Sequence, residues 1–97
     1  MQMITTKYHG EIDFDLYREY AIKSIFKILP LKEEKKDWIK YLEGLLVELN
    51  GMSSLSTDVS LMSLIAKLEG LKNVEDHSLF RKVVFDCIDI MKKMKIK

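Results

Sequence analysis

The stretch Leu79-Phe80-Arg81-Lys82-Val83-Val84-Phe85-Asp86-Cys87-Ile88-Asp89-Ile90-Met91-Lys92-Lys93-Met94 decides the fold class. Its apolar residues Leu79, Phe80, Val83, Val84, Cys87, Ile88, Met91 and Met94 recur at helical spacing, with charged residues between them. The spacing predicts a helix over about residues 74–94. Asp76, alone or paired with Asn73, caps its start, and Lys92, Lys93, Lys95 and Lys97 lie at its end, where the macrodipole favours positive charge. A stripe this regular on a helix this polar must be buried against other elements.

Those elements lie upstream. Leu61, Leu64, Ile65 and Leu68 share one face of a short helix predicted over 59–69, with Thr57 or Asp58 as its cap. Gly70 stops it, and Leu71 is placed to pack back on Ala66. A longer helix is expected over 32–49. It starts in the charge run Lys32-Glu33-Glu34-Lys35-Lys36-Asp37 and carries the stripe Trp38, Leu42, Leu45, Leu46 and Leu49. Gly51 is suited to the left-handed position that closes it. The first helix is expected over 14–29, with apolar residues at 14, 17, 21, 22, 25, 28 and 29. Asp13 is its cap, Ile12 and Tyr17 form a hydrophobic staple, and Pro30 ends it. Residues 1–12 read as an extended arm or a short strand; a lone hairpin there would have no sheet to join. Four amphipathic helices with short connections pack as a bundle. The expected fold is therefore all-α, a single-domain irregular four-helix bundle over 1–97 with an N-terminal arm.

Composition limits the function. The chain has 97 residues, 16 basic and 15 acidic side chains and a net charge of +1, so no long-range field draws it to nucleic acid or anionic lipid. No apolar run has the length of a membrane span. The start is too short and polar for a signal peptide, and one cysteine allows no internal disulfide. A cytoplasmic location is expected.

Candidate chemistry is sparse. His9, His77 and Cys87 occur in unrelated contexts without metal-ligand spacing, so neither a metal nor another cofactor is expected. Cys87 sits on an apolar stripe and reads as a buried small hydrophobe. The serines at 53, 54, 56, 60 and 63 lack a nucleophile elbow. Asp86 and Asp89 share a helix face but read as solvated carboxylates. The four glycines form no phosphate-binding loop; Gly44 stands inside a helix, where it marks either a close approach of another helix or a tolerated defect. No enzyme is expected.

Binding remains. Asp13, Asp15, Glu19, Glu43, Glu48, Glu69, Glu75, Asp76, Asp86 and Asp89 fall mostly on predicted polar faces, while lysines concentrate at 32–40 and in the tail. Such a separation gives an acidic surface suited to a basic partner. With the stretches Leu61–Leu71 and Lys7–Asp15 in view, the chain resembles the small immunity proteins that protect bacteria from colicins and contact-dependent growth-inhibition toxins. The resemblance covers size, acidic polar faces and helical class, and transfers no individual residue. It implies a monomer or weak homodimer that binds a toxin's nuclease domain and blocks substrate access without doing chemistry. On charge placement, Asp13, Asp15, Glu69, Glu75 and Asp76 are the expected contact residues. The alternatives are a nucleic-acid-associated regulator acting through the lysine tail, and a helical subunit or chaperone completed by another chain.

Overall fold

A computed structural model describes residues 3–53 and 59–94. In chain order these form β1 (Met3–Thr6), β2 (Gly10–Asp13), α1 (Phe14–Phe26), α2 (Ile28–Glu33), α3 (Trp38–Ser53), α4 (Val59–Gly70), a 3-10 turn (Leu71–Asn73) and α5 (His77–Lys93). The protein is the expected all-α bundle with an N-terminal strand arm. The expected caps Thr57 and Asp58 and the tail lysines Lys95 and Lys97 lie outside the described residues.

The stripe of α5 is the centre of the core. Phe80, Val84, Cys87, Ile88, Met91 and Met94 are buried, whereas Leu79 at its start is about half exposed. α5 packs against α1 and α4, and α4 packs against α3. α1 and α5 run antiparallel: the Arg18 guanidinium donates to the Met94 carbonyl near the start of α1, and the Phe26 and Phe85 rings meet 6.2 Å apart near its end. Tyr17, Ala21 and Ile25 of α1, Leu42 and Leu49 of α3, and Leu64 and Leu68 of α4 complete a core from which solvent is excluded.

The first helix ends earlier than the sequence suggests. α1 stops at Phe26, and Pro30 lies inside α2. Pro30 has no N–H to give the Phe26 carbonyl, and its ring crowds the carbonyl four residues back, so the break falls one turn upstream. Pro30 then occupies the first turn of a new helix, where its N–H would have had no intrahelical partner.

The charge run does not open the next helix. Residues 34–37 form a turn between α2 and α3. Lys35 takes a left-handed φ of 58°, its N–H donates to the Lys32 carbonyl, and the Lys36 N–H donates to the Leu31 carbonyl. These two bonds are a Schellman closure of α2, with lysine where glycine is usual. Asp37 then caps α3, its Oδ1 accepting the Lys40 N–H at 3.1 Å. By contrast Asp13 and Asp76, at the N-cap positions of α1 and α5, make no side-chain capping bond. Gly51 does not close α3, which continues through it to Ser53. Because a side chain at left-handed φ is strained, Lys35→Gly should raise the unfolding free energy by about 0.5–1 kcal/mol. A urea titration would read it, and a loss of stability would show that the Lys35 side chain contributes more than its backbone strain costs.

The N-terminal arm is a real hairpin. β1 and β2 pair antiparallel with Ile4 opposite Ile12 and Thr6 opposite Gly10. Gly10 supplies the φ of 63° that follows a three-residue turn. The Thr6 Oγ1 accepts the His9 N–H at 3.0 Å. No third strand is present among the described residues. α3 takes that place, packing on β1 and burying Ile4 and Thr6.

Candidate functional site

α3 presents two adjacent rows of side chains. Leu42, Leu45, Leu46 and Leu49 point into the bundle. Tyr41, Gly44, Leu45 and Glu48 follow the i, i+3, i+4, i+7 spacing of one face beside it. The sequence assigned Glu48 to a polar, solvated face. The hairpin covers it instead, and at 1% exposure it is the one buried carboxylate among the described residues.

The turn of the hairpin delivers its partners. The Tyr8 N–H donates to Glu48 Oε2 at 3.2 Å, and His9 Nδ1 lies 3.2 Å from the same oxygen. A carboxylate only accepts, so Nδ1 carries the hydrogen of that contact. The His9 ring meets Tyr20 edge-on with centroids 4.2 Å apart, and Tyr17 at 5.8 Å. The Tyr17 hydroxyl is buried with no partner in hydrogen-bonding geometry. Burial, and after it the neighbouring Glu48 carboxylate, push its pKa far above the ordinary tyrosine value.

A cleft of about 220 Å³ opens beside this cluster. Tyr8 of the turn, Tyr20 and Ser24 of α1, and Lys40, Tyr41, Gly44 and Glu48 of α3 line it. Gly44 settles one alternative left open by the sequence. A Cβ built there meets nothing within 4 Å, so no helix approaches closely, and the space beside Gly44 belongs to the cleft.

The expected contact carboxylates lie elsewhere, and the structure does not bring the five together. Asp13 is half-buried at the start of α1. Asp15 is exposed and paired with Arg18 at 2.8 Å. Glu69, Glu75 and Asp76 are exposed around the α4–α5 connection, and among the described residues no ion pair involves them. The antiparallel packing puts Asp13 and Asp15 at the far end of α5, a helix about 25 Å long at 1.5 Å per residue.

The remaining candidates carry no assembled chemistry. Cys87 is fully buried, and burial pushes its thiol up to about 12, with Asp86 adding to the rise and Lys67 opposing it. Such a thiol is a poor nucleophile. Asp86 and Asp89 line a shallow groove with Lys67 and Lys93, and Lys93 pairs with Asp89 at 3.7 Å. His77 lies 3.5 Å from Glu33. Among the described residues no three His, Cys, Asp or Glu side chains gather as metal ligands would, and no helix is long and apolar enough to cross a membrane. No protein-family model, no curated protein and no solved structure matches the chain.

Proposed function

We propose that this chain is a non-catalytic protein-binding module, in its most specific form an immunity protein that seats on a toxin's nuclease domain and covers the substrate site. The observation that carries the proposal is the open cleft walled by Tyr8, Tyr20 and Tyr41. Tyr8 and Tyr20 keep 59% and 43% of their surface exposed while mounted on packed elements. Tyrosines held this way offer large contact area at low entropic cost and are enriched among the residues that dominate protein interfaces. The exposed Glu69, Glu75 and Asp76 support the same function as a steering surface for a basic partner.

The direct test reads the genes that neighbour this chain's own and mixes purified chain with any nuclease domain encoded there. A one-to-one complex by light scattering, together with loss of nuclease activity, is the expected result. If no complex forms and the chain instead retains nucleic acid in a salt-dependent way, the immunity function is wrong and the lysines of the C-terminal tail become the binding element.

Within such a complex, Glu69→Lys, Glu75→Lys and Asp76→Lys combined should slow association by about tenfold at low salt, with little change in dissociation. Stopped-flow mixing at two ionic strengths measures this. An unchanged association rate removes the α4–α5 corner from the encounter surface.

A further inference from the structure

We infer that the cleft beside Glu48 receives one cationic side chain, an arginine or lysine, from the protein partner. The inference rests on the protein-binding function proposed above and adds the chemistry of the contact.

Glu48 is buried, yet it lines the cleft. Tyr8 N–H and His9 Nδ1 both donate to its Oε2. A carboxylate held largely out of water at the wall of an open cleft is stabilised by an opposite charge brought beside it. A guanidinium or ammonium entering the cleft supplies both the donor and the opposite charge.

Gly44 points the same way independently. It stands in the interior of α3, one turn before Glu48, where glycine costs about 1 kcal/mol relative to alanine. Its φ is not positive and nothing would clash with a Cβ, so neither backbone geometry nor packing requires glycine. What the missing side chain leaves is room in the cleft. The walls contributed by Tyr8, Tyr20 and Tyr41 are aromatic, the surface over which a cation is favoured. The volume of about 220 Å³ falls below the about 300–1,000 Å³ of small-molecule pockets and suits a single long side chain. Lys40 also lines the cleft and opposes a cation, so its removal should strengthen binding of one and weaken binding of an anion.

Nα-acetyl-arginine methylamide is the probe, followed by ¹⁵N amide shifts of the full chain, with the neutral citrulline analogue as its isosteric control. Saturable shifts confined to residues around Tyr8, Gly44 and Glu48 are expected for the arginine probe, and the citrulline analogue should bind at least tenfold more weakly. Glu48→Gln, which can still accept from Tyr8 and His9, and Gly44→Leu, which fills open space, should each abolish the shifts without lowering the melting temperature, and Gly44→Leu should raise it because a good helix former replaces glycine. Lys40→Met should tighten binding by about two- to fivefold, the effect of relieving a like charge in partly screened surroundings. Equal binding of the citrulline analogue, tighter binding of acetyl-glutamate methylamide, or no saturable shift overturns the inference. If the arginine probe saturates but the chain forms no complex with the nuclease domain, the cation site stands and the immunity function falls. If the complex forms with equal affinity in Glu48→Gln and Gly44→Leu and the probe fails to saturate, only the cation site falls.

Discussion

Phe80→Ala will lower the unfolding free energy by about 3–5 kcal/mol, the range for emptying a fully buried aromatic site. A domain of this size has about 5–15 kcal/mol in all, so the variant will be close to the limit of folding. Phe80 has no exposed surface, and three elements converge on its ring. Trp38, at the first position of α3, stands edge-on with centroids 5.2 Å apart. The Lys32 ammonium of α2 lies 3.7 Å from the Phe80 centroid and 5.7 Å from that of Trp38. Phe80 itself sits near the start of α5. The ring therefore joins α2, α3 and α5 at the place where the chain turns through residues 34–37. Phe80→Leu keeps most of the volume but loses the aromatic and cation contacts, and should cost about 1–2 kcal/mol. A double-mutant cycle of Phe80→Leu with Lys32→Met isolates the cation contact, expected at about 0.5–1 kcal/mol for a half-exposed lysine. Urea denaturation measures all three. A loss below about 1 kcal/mol for Phe80→Ala would mean that the turn is held by its own hydrogen bonds and not by this junction.

That junction also explains where sequence reading succeeded and where it stopped. The stripes on α1, α3, α4 and α5 were legible because helical period is a local property, and their principal positions are buried as expected. Pro30 was recognised as the breaker, but the break was placed at its neighbour instead of at the carbonyl four residues earlier. Gly51 was expected to close a helix and Lys35 was not, because left-handed backbone is conventionally sought at glycine. Here the closure falls at a lysine whose neighbours Lys32 and Trp38 are held by Phe80, more than forty positions downstream, and no local pattern announces that.

The site was less legible for the same reason. Glu48 belongs by period to the flank of the α3 stripe, and a carboxylate on a flank is ordinarily solvated. What buries it is a hairpin turn 40 residues earlier whose backbone N–H reaches it. The arm was judged marginal because no further strand was present to support it, and the support came from a helix. One local sign was available: Gly44, unneeded by turn geometry and placed one turn before Glu48 between Tyr41 and Leu45. The exposed carboxylates Glu69, Glu75 and Asp76 were placed on the surface correctly, but composition alone did not reveal that Asp13 and Asp15 lie at the opposite end of the bundle.

The second large effect is alkaline unfolding. Cys87 is raised from 9.0 to about 12, chiefly by burial, and Tyr17 is raised well above 10.0, by burial first and then by Glu48. Both groups are neutral when protonated, and the folded state holds those protons more tightly than the unfolded chain does. Their contribution is therefore fully present below the unfolded pKa values and is lost as pH rises past them. Stability should begin to fall near pH 9, at a limiting slope of about 1.4 kcal/mol per pH unit from Cys87 alone. Above pH 10 Tyr17 joins it and the limiting slope approaches about twice that value, until the Cys87 contribution is exhausted near pH 12. Unfolding free energies from urea titrations between pH 7.5 and 11 trace the curve. Lysine deprotonation acts in the same range, so the informative quantity is the difference between variants. Cys87→Ala should flatten the segment from 9 to 10, and Tyr17→Phe should flatten the segment above 10. Tyr17→Phe also removes a buried hydroxyl without a partner, so at neutral pH it should be neutral or stabilising by up to about 1 kcal/mol. If Tyr17→Phe instead destabilises at neutral pH while still flattening the alkaline slope, the hydroxyl is bonded to Glu48 in solution and that bond stabilises the fold; an unchanged alkaline slope would mean that the folded state does not hold the Tyr17 proton more tightly than the unfolded chain does.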